Sequence, residues 1–276
     1  MPRDLRPRRG PSPNVNKISS LREIEVRHCH SLAEYEECVR LELSTWGEAI
    51  AVPIPIFVVA HHTGGQILGA FHGSRLIGFI MAMAGVRPGQ QFLHSHMTAV
   101  LPEFQNVGVG RRLKLFQRED ALRRGFQLVE WTFDPLELKN AYFNLARLGA
   151  VVRRYIPNCY GLTESPLHAG LPTDRLVAEW WLDCNRVNSV LARKLPSVSS
   201  AERIAVPSDI GELKAGNRTA AARAQDEIRE QFQRWFSKDY VVTCIESRGV
   251  TTDYILEPAA SIAGLALPVS GSKGAT

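Results

Sequence analysis

The 276-residue sequence predicts an α/β (α+β) protein, with one main domain and a smaller C-terminal strand–helix–strand–strand extension. Three observations predict it. Strand-like and helix-like patterns succeed one another from residue 22 to 187, with a hairpin signal among them. A glycine-rich segment, Gln105-Asn106-Val107-Gly108-Val109-Gly110, joins a strand pattern to a helix pattern. A connector at 188–202, with Pro196 and four serines, precedes a second set of patterned segments. The length suits one large domain or two smaller ones.

The elements follow in order. Residues 1–21 contain four prolines and no hydrophobic period, and are expected to form a disordered basic tail. Glu23 to His28 alternates as a strand does. Ser31 and Glu34 form a capping-box pattern before a helix whose apolar positions are Leu32, Tyr35, Val39 and Leu43. Trp46-Gly47 ends that helix, and Pro53 and Pro55 mark a loop or short helix. Gln66 to Phe71 and Leu76 to Ala84 read as a hairpin across Gly73-Ser74. Phe92 to Val100 is the strand that feeds the glycine segment, and a helix then runs to about Gly125. Phe126 to Phe133 reads as a strand, Asn140 to Leu148 as a helix stopped by Gly149, and Val151 to Tyr155 and Leu176 to Leu182 as strands. In the second half, Arg203 to Val206, Tyr240 to Ile245 and Tyr254 to Leu256 are strand-like. Thr219 to Ser237 is an amphipathic helix with Ala221, Ala224, Ile228, Phe232, Trp235 and Phe236 on one face. This order repeats that of residues 22–84, which allows a degenerate internal repeat. The domain limits expected are 22–187 for the main domain and 203–258 for the extension packed upon it, with a flexible tail at 266–276.

The net charge of +5 comes from the N-terminus: residues 1–22 carry six basic residues and Asp4 alone, leaving 27 of each sign beyond. That distribution argues against nucleic acid as a partner. No apolar run is long enough to span a bilayer, and Met1 to Ser20 lacks a signal peptide's apolar core, so a cytoplasmic protein without membrane contact is expected. The five cysteines are scattered and form no CxxC pair, as reduced thiols do. His28-Cys29-His30 and His61-His62 lack the partners of a metal site, and no metal is expected.

Two glycines in three residues at a helix start allow a ligand to approach the backbone, and free N–H groups with the helix dipole suit a phosphate. A Walker A loop needs Gly-Lys-Ser/Thr, but Arg111 and Arg112 follow Gly110. A dinucleotide fingerprint needs a third glycine where Leu113 stands. The pattern Gln/Arg-x-x-Gly-x-Gly/Ala of acyl-CoA loops is matched by Gln105, Gly108 and Gly110.

On that motif and its context, Thr98 to Leu113, residues 22–183 resemble the GNAT superfamily of acyl-CoA-dependent N-acyltransferases. Residues Gly170 to Val177 resemble a bacterial branch of that superfamily with a long C-terminal extension. The resemblance implies the GNAT fold, with a mixed, largely antiparallel central sheet. It implies acetyl-CoA or another acyl-CoA as co-substrate, with an acetyl or larger acyl group, succinyl among them, transferred to a primary amine. The pyrophosphate would lie on Gln105, Asn106, Val107, Gly108, Val109 and Gly110. Arg111, and Arg112 beside it, would add charge. The pantetheine arm would run along Met97, Thr98, Ala99 and Val100, where a backbone N–H would polarise the thioester. Asn140 matches the helix-opening Asn of the family's second CoA-contacting helix.

Amine attack needs a base. His94 stands where several family members carry a glutamate base, and His96 shares its face in a regular strand. Both could instead be hydrogen-bonded core residues. Glu130 and Asp134 are the competing carboxylates, Glu130 being also a candidate for substrate contact. The family's thiolate-protonating Tyr is replaced by Leu145. Tyr142, earlier on that helix, is the substitute considered, with a packed aromatic as the other reading. Tyr160 and Arg175 could grip the acceptor. The expected partner is a small-molecule amine, and the chain is expected to act as a monomer or homodimer. A non-catalytic CoA-binding or regulatory module is the competing reading.

Overall fold

Local sequence signals set the element starts in this computed structural model, which describes residues 23–48, 51–161, 170–194 and 201–262. The Ser31 hydroxyl accepts from Glu34 N, and the Glu34 carboxylate accepts from Ser31 N, starting α1 (Leu32–Trp46) with a capping box. Its buried face is Tyr35, Cys38, Leu41 and Glu42. The expected stripe does not hold, because Leu32 and Leu43 are 61% and 37% exposed. Tyr35 stacks on Phe57 of α2 (Ile54–His62), and that contact turns the Cys38 side of the helix inward.

β1 (Ile24–His28), β2 (Gln66–His72), β3 (Arg75–Arg87) and β4 (Gln90–Val100) form an antiparallel run. α3 (Val109–Arg123) leads to β5 (Leu128–Phe133). The expected helix at Asn140 starts earlier, as α4 (Leu138–Tyr142), and widens into a π turn over Phe143–Arg147. β6 (Val151–Ile156) and β7 (Arg175–Trp181) close the first half. α5 (Asn185–Leu191) occupies the start of the stretch expected to be a connector, and residues 195–200 of that stretch lie outside the described residues. β8 (Glu202–Pro207), α6 (Ile210–Gly216), α7 (Arg218–Phe236), β9 (Tyr240–Ser247) and β10 (Thr251–Pro258) follow. The tails expected at 1–21 and 266–276 also lie outside the described residues.

The strands form one sheet in the order β1-β2-β3-β4-β5-β7-β6-β9-β10-β8. Of its neighbouring pairs, β4–β5 is parallel and the rest are antiparallel. The second half joins the sheet through Val152↔Val242. It does not repeat the first: β1 pairs with the first strand after its helices, whereas β8 pairs with the second, β10. The two halves share one core, in which Trp131, Leu176 and Trp180 pack with Ile228, Phe232 and Tyr254. A segment of this size buries too little surface by itself, and the shared core supplies what it lacks. Among the described residues no helix is long and apolar enough to cross a membrane.

Tyr254 is fully buried, and its hydroxyl donates to Pro135 O at 2.7 Å, just beyond β5. Tyr254→Phe leaves that carbonyl without its donor and is expected to cost about 1–3 kcal/mol. Urea unfolding measures it, and an unchanged midpoint would show that the contact does not brace the two halves.

Candidate active site

Two adjacent strands usually pair along their length. β4 and β5 pair only at Leu93↔Val129 and His94↔Glu130, and then part. Among the described residues, no strand neighbours the β5-facing edge of β4 beyond His94. On its other side β4 stays paired with β3, but the register slips: Met81 opposes Met97 while Ala82 opposes Ser95. His96 is therefore the extra residue of a β-bulge, which re-aims the backbone where the strands separate. The opening is a cleft of about 560 Å³, floored by Ser95 to Thr98 and Trp131 to Asp134.

At its end β4 turns into the glycine segment. Gln105 Nε2 donates back to Val100 O at 2.9 Å, folding the segment over the strand end. Asn106 has φ 60° and Gly108 φ 99°, both in the left-handed region. A Cβ at Gly108 would meet no atom within 4 Å, so the glycine answers a backbone need and leaves open space above it. Gly108 is the N-cap of α3, no side chain caps the helix, and its first α-type bond is Arg112 N to Gly108 O. The N–H groups of Val109, Gly110 and Arg111 thus face outward at the positive end of the dipole. Partial burial lowers the Arg111 pKa, and the nearby guanidiniums of Arg147 and Arg193 lower it further. Arg112 turns the other way and donates to Ile24 O at 2.5 Å. The site resembles an anion cradle with surplus positive charge beside it.

The sequence-derived candidates divide into two groups. His96, Met97, Thr98, Asn140, Tyr160 and Arg175 all line the cleft. His96 is open to the cleft but walled by protein, and that burial, followed by the charge of His94, lowers its pKa below the usual histidine value. Tyr160 Oη pairs with Thr132 Oγ1 at 2.8 Å, and the Arg175 guanidinium lies 5.3 Å from its ring. Ala99 and Val100 pack into the layers on either side of the strand.

His94, Glu130 and Tyr142 are not among the cleft-lining residues. The bulge breaks the simple alternation that put both histidines on one face, and His94 Nδ1 instead stands 3.9 Å from Glu130. Glu130 is buried between Arg87 and Arg154, the latter at 2.7 Å. Burial opposes its ionisation, but His94 and the two guanidiniums outweigh this and hold its pKa at about 2. Such a carboxylate is a fixed anion and a poor base. Tyr142 is 52% exposed, and the π turn brings Phe143 and Asn144 to the cleft in its place. Leu145, at the family's Tyr position, is fully buried. Asp134 lines the cleft, but its carboxylate takes a hydrogen bond from Lys214 Nζ at 3.1 Å.

Sequence reasoning missed Lys114 and Asn144. Lys114 is buried on α3 yet lines the cleft. Its Nζ donates to Ser95 Oγ at 2.9 Å and Gln117 Oε1 at 3.0 Å and lies 4.2 Å from the Trp131 ring centroid. Burial pulls its pKa down to about 7. The available signal was the inward face of α3, where Lys114, Gln117 and Asp120 occupy positions that a core helix fills with apolar residues. Asn144 is 1% exposed, and among the described residues its Nδ2 has no hydrogen-bond partner. Also missed was the bracing of the cleft's far wall by the extension. Lys214 holds Glu137 as well as Asp134, Gln225 Nε2 donates to Pro172 O at 2.8 Å, and Arg229 pairs with Asp174 at 2.8 Å. Among the described residues no group of three or more His, Cys, Asp and Glu is placed to hold a metal ion.

The mixed, largely antiparallel sheet is the one that the sequence resemblance implied. No protein-family model and no curated protein sequence matches the chain. Among solved structures it is similar to Arabidopsis thaliana Naa50 in complex with the bisubstrate analogue CoA-Ac-MVNAL, at 12% identity and TM-score 0.47, over 57% of this chain and 97% of that one. It is similar to the ribosomal-protein-S18-alanine N-acetyltransferase of Escherichia coli, at 14% and 0.47, over 58% and 95%. It is also similar to smu.2055 of Streptococcus mutans, at 17% and 0.49, over 58% and 99%.

The lowered Lys114 pKa has a consequence for stability. Between about pH 7 and the ordinary lysine value of about 10.4, the unfolded chain binds this proton and the folded chain does not. Wild-type stability relative to Lys114→Met therefore rises with pH through that window. Below pH 7 the burial penalty is fully present, and the Met variant has its largest advantage. Denaturant unfolding at pH 6.5 and 9.5 checks this; a constant difference would contradict the buried, carboxylate-free setting of the amine.

Proposed function

We propose that the chain is an acyl-CoA-dependent N-acyltransferase that moves an acetyl or larger acyl group from the CoA thioester to a primary amine of a small molecule in the cytoplasm. The observation that carries this reading is the continuity of two features. The bulged, one-sided edge of β4 in the cleft leads, through a 3-10 turn at Pro102–Phe104 and the glycine segment, into the uncapped N-terminus of α3. One extended ligand with a polar arm and a pyrophosphate fits both. The pyrophosphate would take the N–H groups of Asn106 to Arg111, with Arg111, Arg147 and Arg193 for phosphate charge. The pantetheine arm would add as a strand along Met97 to Val100, with Asn140 across from it. A bulge N–H at His96 or Met97 would meet the thioester oxygen and hold the charge that develops there.

The acceptor amine would enter from the side of Tyr160, Arg175 and Trp46, which line the same cleft. The lowered pKa of His96 keeps it neutral near pH 7, as a proton acceptor must be. His94, its ring centroid 6.4 Å from that of His96, is turned toward Glu130 and is not the base. The alternative is a CoA-binding module without turnover. It is favoured by Leu145 at the position of the family's Tyr and by the outward-facing Tyr142.

Calorimetry with CoA and acetyl-CoA, together with thiol release over a broad amine panel, tests both readings. Gly108→Trp is expected to lower CoA affinity at least about 100-fold, by filling the space the phosphates need and straining the left-handed backbone. His96→Ala is expected to lower kcat by about 100- to 10,000-fold with CoA affinity kept. Absence of CoA binding to the wild type would sink the proposal. Binding without turnover anywhere in the panel would favour the module.

A further inference from the structure

A thioester that loses its acyl group leaves a thiolate. The Tyr that the resemblance implies for this step is replaced by Leu145, which has no proton to give, and the substitute the sequence offered, Tyr142, faces solvent. Lys114 and Asn144 remain, and the mechanism above uses neither. Both are buried, both line the cleft, and they come from separate elements, α3 and the π turn after α4.

Lys114 is an unusual buried cation. Its Nζ is held by the Ser95 hydroxyl, the Gln117 amide oxygen and the face of Trp131, with no carboxylate among these contacts. Buried charges are normally paired. Ser95 is next to the bulged His96, so the amine sits under the part of β4 where the thioester would lie. Its contacts are Gln117 on its own helix, with Asp120 beyond and bound to Gln66, Ser95 on β4 and Trp131 on β5, while His96 and Asn144 line the same cleft. The acids of the cleft's far wall, Asp134 and Glu137, are taken by Lys214. Asn144 supplies the independent observation. Its Nδ2 is a buried donor with no acceptor among the described residues, and such a group normally has one.

We propose that Lys114 is the acid that protonates the leaving CoA thiolate, with Asn144 Nδ2 donating a second hydrogen bond to the same sulfur. This rests on the acyl-CoA reading of the cleft. As the carbon–sulfur bond breaks, its electron pair goes to sulfur. A proton passes from Lys114 Nζ to that sulfur, giving the free thiol and a neutral amine. The amine regains a proton from solvent, which also receives the one that His96 took from the acceptor. A lysine poised at about 7 gives its proton to a thiolate of ordinary basicity, about 8.5, without a thermodynamic penalty. A lysine of normal basicity would hold it.

The test needs no acceptor. Wild-type protein is saturated with CoA, and the thiolate absorbance of the bound ligand is followed against pH. Lys114 titrates near 7, so the amine and the bound thiol share the proton lost there, and part of the thiolate absorbance is expected in an early step near pH 7, ahead of the main step at the free-thiol value. Lys114→Met and Lys114→Gln are expected to remove the early step, and circular dichroism verifies that each is folded. Asn144→Ala is expected to shrink it. A single step at the value of free CoA in the wild type overturns the proposal, with no variant required. So does an early step that persists in both Lys114 variants. Failure of the wild type to bind CoA at millimolar concentration overturns the acyl-CoA reading itself, which the calorimetry above records separately.

Discussion

The parting of β4 and β5 beyond the His94–Glu130 pair is the constraint on which the rest of the site depends. A sheet closes its hydrogen bonds strand to strand, and an interior strand with an unpaired side is costly unless something else takes its place. Here the separation is built in. Glu130 sits at the apex as a permanent anion, tied to Arg87 from the end of β3 and Arg154 from β6. Those ties hold the base of the wedge together while the bulge at His96 turns the upper part of β4 away. Backbone donors and acceptors that another sheet would consume are left facing a cleft. A ligand that is itself amide-rich and extended suits that edge.

Much of this could be read in the sequence, and the reasons for the failures are physical. Gly108 was legible because a left-handed N-cap demands glycine, and the strand before it and the helix after it have clear periods. The capping box at Ser31 was legible for the same reason, since it is local. The bulge was not, because an extra residue in a strand leaves the alternation of polar and apolar side chains nearly intact. That is why His94 and His96 were expected to act on one face, while the structure sends one to Glu130 and the other to the cleft. The π turn was hidden likewise. One wider turn in a helix shifts the lining from Tyr142 to Phe143 and Asn144, with no change in composition to mark it.

Lys114 was overlooked for a different reason. A lysine in a helix usually extends its amine to water, and the stem alone is buried. Only the placement of Ser95 and Trp131 around it, a property of three separate elements, makes it an interior group. The extension was expected from its amphipathic helix to pack on the main domain. Its polar contacts carry the added information. Lys214, Gln225 and Arg229 reach segments that hold Asp134, Glu137, Tyr160 and Arg175 at the far wall. Loops that carry recognition groups need a scaffold, and here the extension supplies it.

The central claim is that one ligand lies along β4 and ends at the start of α3. A crystal structure of the protein grown with acetyl-CoA tests it most directly. The account predicts pantetheine density hydrogen-bonded to the backbone between His96 and Val100, and pyrophosphate density within hydrogen-bond distance of the N–H groups from Asn106 to Arg111. Acetyl-CoA bound elsewhere on the protein, with the edge of β4 left uncovered, would contradict it.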